Sequence, residues 1–121
     1  MGLFFRNKND LKTKRNQVSK TIDAWDAGFD KGYPLWQKGE TERKAGNYEK
    51  ALAFYNRART AGYLAPALYN SFAMTYRKLK DVDSEIKILE EGIRRMESAQ
   101  GNYVTGISKL KDQLEKAKAK Q

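Results

Sequence analysis

Residues 46–62 read GNYEKALAFYNRARTAG, and residues 80–96, which begin 34 positions later, read KDVDSEIKILEEGIRRM. The two stretches carry large apolar and small residues at matching positions: Leu52 and Ile86, Tyr55 and Leu89, Ala58 and Gly92. Outside them, the same shift aligns Leu35 with Tyr69 and Tyr103, and Gly39 with Ala73 and Ile107. Similarity at one fixed spacing is typical of repeated supersecondary units. The chain is therefore expected to contain three helix-opening segments and two complete helical hairpins.

The elements of this repeat are predicted to be helices, because apolar residues recur every three or four positions and no strand pattern occurs. A helix over 17–30 is predicted from a stripe formed by Val18, Ile22, Trp25 and Phe29. Pro34 suits a first helical turn and Gly46 a helix end, so a separate helix is predicted over 34–45. Further on, Gly62 ends the third helix, Pro66 begins the fourth, Asp81 or Asp83 caps the fifth, and residues 100–102 separate it from a sixth.

Composition excludes several kinds of function. The chain has 121 residues, no cysteine and no histidine, so disulfides, thiolate nucleophiles, histidine bases and ordinary zinc sites are excluded. No phosphate-binding glycine loop occurs, and the acidic alternation at 81–85 lacks the glycine of a calcium loop. We therefore predict no catalytic residue, no cofactor and no metal site. The sequence shows no membrane span or signal peptide, and a cytoplasmic protein is expected.

The repeat resembles the tetratricopeptide repeat family over roughly residues 33–118. The family pattern of a large residue, Leu-Gly and then Tyr is matched in type by Tyr69, Phe72-Ala73 and Tyr76. Its second-helix pattern is matched by Ala51 and Tyr55, whereas Glu85 stands in the second repeat where alanine is usual. The resemblance implies an all-α fold, a short right-handed α-solenoid of two hairpins with an N-terminal helix and a C-terminal capping helix. The expected domains are a flexible basic arm over 1–16, a repeat domain over 17–118 and a frayed tail over 119–121.

The resemblance also implies a function. Members of the family are adaptors or scaffolds rather than enzymes, and the first helix of each repeat lines a concave groove that binds a protein or peptide. The groove positions carried over to this sequence are Trp36, Glu40, Arg43, Asn70, Met74, Arg77, Lys78 and Lys111. Because this set is basic and partly apolar, an acidic or amphipathic peptide is the expected partner. The lysine and asparagine array by which some members clamp chaperone tails is not reproduced, since Trp36 and Glu40 replace its first two residues.

Other interpretations of these residues stay open. Trp36 could pack against the N-terminal helix, and the groove cations could form an ordinary solvated face. The net charge of +9 also favours nucleic acid as a partner. In that alternative the phosphates are neutralised by the C-terminal lysines and by the basic stretch over 1–20, which contains Arg6, Lys8, Lys12, Lys14, Arg15 and Lys20. The arm could instead be disordered or touch a membrane surface through residues 3–5, and a homodimer is left open.

Overall fold

The computed structural model describes residues 8–99 and 103–121, and for residues 8–25 it describes the backbone alone. The described part contains five helices and no strand. They are α1 (Lys8–Lys44), α2 (Tyr48–Thr60), α3 (Pro66–Lys78), α4 (Val82–Ser98) and α5 (Val104–Lys118). The predicted all-α helical repeat is confirmed.

The helices stack in chain order. Each helix packs against the next one, and α3 also contacts α1 and α5. The first helices of successive hairpins therefore lie side by side, and α2 and α4 flank them. This arrangement makes one side of the molecule from α1, α3 and α5.

Tyrosine rings packed against glycines hold the helices together. Tyr55 and Tyr69 are fully buried, and a Cβ atom added at Gly39 would collide with the ring of Tyr55. A Cβ atom added at Gly92 would lie 2.7 Å from Cγ of Tyr69, which is also too close. Each crossing thus requires a small residue on one helix so that a large ring on the other can fill the space.

The repeat is visible in burial and in the turns. Tyr55 and Leu89, which the repeat aligns, are both fully buried. Gly46 and Lys80, also aligned, both adopt left-handed backbone conformations with φ of 85° and 59° after helices α1 and α3. Asp81 then caps α4, because its side chain accepts a hydrogen bond from the backbone N–H of Ser84 at 3.1 Å.

The prediction of two separate helices over 17–30 and 34–45 is wrong, because α1 runs without interruption from Lys8 to Lys44. Pro34 lies inside α1 and is exposed to solvent. Gly28 and Gly32 are buried, Gly28 against the backbone of Gly62 and Gly32 against Tyr63. These contacts lie on the N-terminal side of the proline and favour continuation of the helix, although proline removes one backbone hydrogen bond.

The predicted N-terminal arm and flanking helix are only partly described. Residues 8–16 of the arm belong to α1, while residues 1–7 lie outside the described residues. The side chains of Val18, Ile22 and Trp25 also lie outside them. Phe29, from the same predicted stripe, stacks on Tyr33 with ring centroids 5.0 Å apart.

The last helix caps the second hairpin, but it is displaced along the chain. Leu110 is buried, and Tyr103, Ile107 and Leu114 pack against the core. The first residue of α4 follows the first residue of α2 by one repeat spacing. If α5 followed α3 at the same spacing, it would begin earlier in the sequence than Val104, where it does begin. The reason is that α4 has 17 residues and α2 has 13, so α4 is longer by about one helical turn. The alignment of Tyr103 with Tyr69 therefore does not hold in the structure.

The aligned left-handed residues Gly46 and Lys80 yield a prediction for stability. Replacing Lys80 by glycine should stabilise the fold by about 0.5–1 kcal/mol. Glycine has more conformational freedom to lose on folding, but the free energy of that loss is smaller than the cost of holding lysine in a left-handed backbone conformation. The reverse change, Gly46→Lys, should destabilise it by a similar amount. Urea unfolding followed by far-UV circular dichroism measures both. Shifts of the same sign in the two variants would contradict the shared turn geometry.

Candidate functional site

A basic pocket opens where α1 and α3 end and α2 begins. Its volume is about 530 Å³. It is lined by Arg43, Lys44, Tyr48, Met74, Arg77 and Lys78. Four of these six residues are cations, and Tyr48 and Met74 supply apolar surface.

The four cations are two copies of one feature of the repeat. Arg43-Lys44 and Arg77-Lys78 are separated by the repeat spacing and occupy the last turns of α1 and α3. Cations are favourable at such positions because the C-terminal end of a helix carries partial negative charge. Stacking of the hairpins then brings both pairs to the same pocket.

Arg43 is held by a hydrogen-bond network centred on Glu40. The Nη2 atom of Arg43 lies 2.7 Å from Oε2 of Glu40. The Oε1 atom of Glu40 accepts hydrogen bonds from the hydroxyls of Tyr55 and Ser71, each at 2.6 Å. Ser71 in turn accepts one from the indole N–H of Trp36 at 3.0 Å. The network ties α1, α2 and α3 together and compensates the charge of Arg43 within the protein.

These contacts shift the pKa of Glu40. Burial alone would raise the pKa of this carboxyl group, but hydrogen bonds from Arg43, Ser71 and Tyr55 together outweigh burial and hold it below its ordinary value. Burial and the neighbouring Glu40 raise the pKa of Tyr55 to about 12. Both groups therefore keep their usual charge states at neutral pH, with Glu40 ionised and Tyr55 neutral.

Arg77 is held differently. Its Nη2 and Nε atoms lie 3.0 and 3.1 Å from Oε2 of Glu85 on α4, and Nη2 also donates to Oε1 of Gln113 on α5 at 3.2 Å. Glu85 is almost completely buried and forms a second ion pair with Lys120. Arg77 itself is 44% exposed and remains accessible from the pocket.

Lys44 and Lys78 complete the pocket. Both are exposed, and neither forms an ion pair within the part of the chain that the structure describes. Their charges are thus available to an external anion. Lysine binds such an anion as a flexible point charge, while arginine can bind it through two parallel hydrogen bonds.

Comparison with known proteins identifies the repeat. A family model described as tetratricopeptide repeat matches residues 34–58 and 66–95. Residues 34–58 and 66–95 of the chain are tetratricopeptide repeats. The first match covers the end of α1 and most of α2, and the second covers α3 and most of α4. No curated protein and no solved structure matches the chain significantly.

The structure distributes the predicted groove residues of these tetratricopeptide repeats over several places. Arg43, Met74, Arg77 and Lys78 lie together in the basic pocket. Trp36 and Glu40 are half-buried in the network between α1 and α3. Glu40 acts on the pocket through Arg43, and Trp36 packs beside Tyr33 and Tyr63 with ring centroids 5.5 and 6.3 Å away.

Asn70 lines a second pocket of about 350 Å³ between α3 and α5. There its Oδ1 atom accepts a hydrogen bond from Gln113 at 2.8 Å, and its Nδ2 atom contacts the sulfur of Met74 at 3.4 Å. Gln113 therefore links Asn70 to Arg77. The side-chain amide of Gln113 therefore already donates to the Asn70 oxygen that could otherwise accept a hydrogen bond from an extended peptide backbone.

Lys111 lies beside α4 and is not among the residues that line the basic pocket or the second pocket. Its Nζ atom lies 3.7 Å from Oε2 of Glu97 on α4, whereas Lys109 and Gln113 line the second pocket beside α3. The extra turn of α4 shifts α5 along the chain, so positions related by the repeat spacing fall at different places in α3 and α5.

The sequence interpretation missed Lys44, Tyr48 and Gln113. A signal for Lys44 was present, because Lys78 lies one repeat spacing further on. Tyr48 belongs to the second helix of its hairpin, which the groove assignment did not include. Gln113 could be found only once the displacement of α5 was known.

None of the described helices is long and apolar enough to cross a membrane. Within the same residues, no three or more acidic side chains are grouped in a way that could hold a metal ion.

The pKa of Glu40 leads to a prediction about acid stability. Because its pKa in the folded protein lies below the unfolded value of 4.5, ionised Glu40 stabilises the fold above about pH 4.5. This stabilisation is lost as the pH falls through the lower folded-state pKa. Glu40→Gln should therefore be less stable than the wild type at neutral pH and lose less stability on acidification. Urea unfolding at a series of pH values measures the difference.

Tyr55→Phe provides a graded comparison, because it removes one of the three hydrogen-bond donors to Glu40 and leaves the ring in place. Its acid dependence should fall between those of the wild type and Glu40→Gln. Identical acid dependence in all three proteins would show that the network does not lower the pKa of Glu40.

Proposed function

We propose that the chain is a non-enzymatic interaction module that binds an acidic or amphipathic peptide, or a partner helix, in the basic pocket. Tetratricopeptide repeat proteins generally mediate protein–protein interaction and are generally non-enzymatic scaffolds. The observation that carries the finer proposal is the convergence of two Arg-Lys pairs with Tyr48 and Met74 on one pocket. We also propose that the protein is cytoplasmic, as the sequence predicts.

The chemistry of the lining supports a peptide with both acidic and apolar side chains. Lys44 and Lys78 are exposed and have no ion-pair partner among the described residues, so they can attract a carboxylate without breaking an existing contact. The flexible thioether of Met74 can adapt to apolar groups of different shape. Tyr48 adds an aromatic face beside it. Charge therefore favours acidic partners, while the apolar residues add contact area that salt does not screen.

Charge reversal at the two unpaired lysines tests the proposal. The probe is a short fluorescein-labelled peptide of alternating glutamate and leucine, and its affinity is measured by fluorescence anisotropy. Lys44→Glu with Lys78→Glu should weaken binding by at least about tenfold, because two attractive charges become repulsive. These positions are preferred to Arg77, because a new carboxylate at Arg77 would also repel buried Glu85.

The matched control is Lys87→Glu with Arg94→Glu, which makes the same change in net charge on exposed positions of α4. This control should bind the probe within about twofold of the wild type, apart from long-range effects that salt screens. Equal weakening in the two double variants would show that the peptide is attracted only by net charge. Full binding by the Lys44 and Lys78 variant would show that the pocket is not the site.

Salt dependence distinguishes this function from the nucleic-acid alternative. Binding of a single-stranded DNA through six to eight phosphates would lose affinity steeply as salt rises. A peptide held partly by Tyr48 and Met74 should lose much less. Tight, strongly salt-dependent binding of polythymidine that disappears on deletion of residues 1–20, together with no binding of the peptide, would favour nucleic acid.

A further inference from the structure

The most deeply buried carboxyl group among the described residues is paired with two cations. Glu85 is 1% exposed, and its two carboxylate oxygens are divided between them. Oε2 lies 3.0 Å from Nη2 of Arg77, and Oε1 lies 3.0 Å from Nζ of Lys120, next to the end of α5. A buried carboxylate is costly unless it is compensated, so these contacts are required for Glu85 to be tolerated between α3 and α4.

The count of charges around Glu85 differs from that around Glu40. Glu40 and Arg43 form a pair of one anion and one cation, which is neutral overall. Glu85, Arg77 and Lys120 form a group of one anion and two cations, which keeps one positive charge. Of the two cations, Arg77 lines the basic pocket, whereas Lys120 is not among the residues that line it.

We propose that Lys120 is a positioning residue for the basic pocket, because it compensates Glu85 and so leaves Arg77 as a net cation for an acidic ligand. The proposal rests on the proposed function of the pocket. Without Lys120, the carboxylate of Glu85 has Arg77 as its remaining described counter-ion. Arg77 is then held more firmly toward α4, and the group it belongs to becomes neutral.

A residue at the end of the described chain thereby controls a pocket formed by the ends of α1 and α3. Its position makes the control chemically accessible, because Lys120 is 42% exposed. Neutralisation of its amine, as in lysine acetylation, or removal of residues 120–121 would have the same consequence for Arg77. The expected consequence is weaker binding of acidic ligands with the fold retained.

The test compares Lys120→Met with Lys118→Met, using the labelled glutamate-leucine peptide described above. Both changes remove one lysine charge near the end of the chain, but Lys118 is exposed and forms no ion pair with a described residue. Lys120→Met should reduce the affinity by about fivefold and Lys118→Met by less than about twofold. Equal effects of the two variants would overturn the proposal.

A second measurement decides the charge assignment without any ligand. Arg77→Met should lower the melting temperature more in the Lys120→Met background than in the Lys118→Met background, because Glu85 then loses both counter-ions. Equal losses in the two backgrounds would overturn the assignment. If the wild type does not bind the peptide, the proposed function fails, whereas a background-dependent effect of Arg77→Met still supports the pairing of Glu85 with both cations.

Discussion

Two tyrosines connect the packing of the helices with the polar contacts above it. The ring of Tyr55 fills the space that Gly39 leaves on α1, and its hydroxyl donates to Glu40. The ring of Tyr69 packs against Gly92 in the same way, and its hydroxyl donates to a glutamate of α4 at 3.0 Å. A tyrosine can do both because it combines a large apolar body with a polar tip that needs a partner when buried. The spacing of the helices and the positions of the carboxylates are therefore set together.

Buried carboxylates then determine which cations are available at the surface. Glu40 is surrounded by hydrogen-bond donors, compensates Arg43 and joins the first hairpin to α3 through Ser71. Glu85 is shared by Arg77 and Lys120, and one positive charge remains. Residues that look equivalent in the repeat thus differ in charge balance. The number of cations lining a pocket is a poor measure of its attraction for an anion unless their buried partners are counted too.

The sequence predicted the repeat and most helix boundaries because both depend on local patterns. Gly62 and Asp81 mark changes in backbone conformation, and helices end or begin beside them. The prediction failed at Pro34, where buried glycines packed against Gly62 and Tyr63 in the loop after α2 outweigh the local preference for a helix start. The site was predictable only as far as it follows the repeat, because the additional turn in α4 carries Lys111 out of register. Lys120 lies in a tail with no repeat counterpart, so only coordinates reveal its contact with the buried carboxylate of α4.

The exposure of the pocket constrains how it can bind. Its unpaired lysines are exposed and Arg77 is nearly half exposed, so attraction to an anion is screened at physiological salt. Exposed ion pairs contribute little affinity by themselves. Useful affinity must then come from charges acting together with contact to Met74 and Tyr48, which lie in the same lining. This combination favours a ligand whose acidic and apolar groups are close together, and an amphipathic peptide satisfies that requirement better than a uniformly charged polymer.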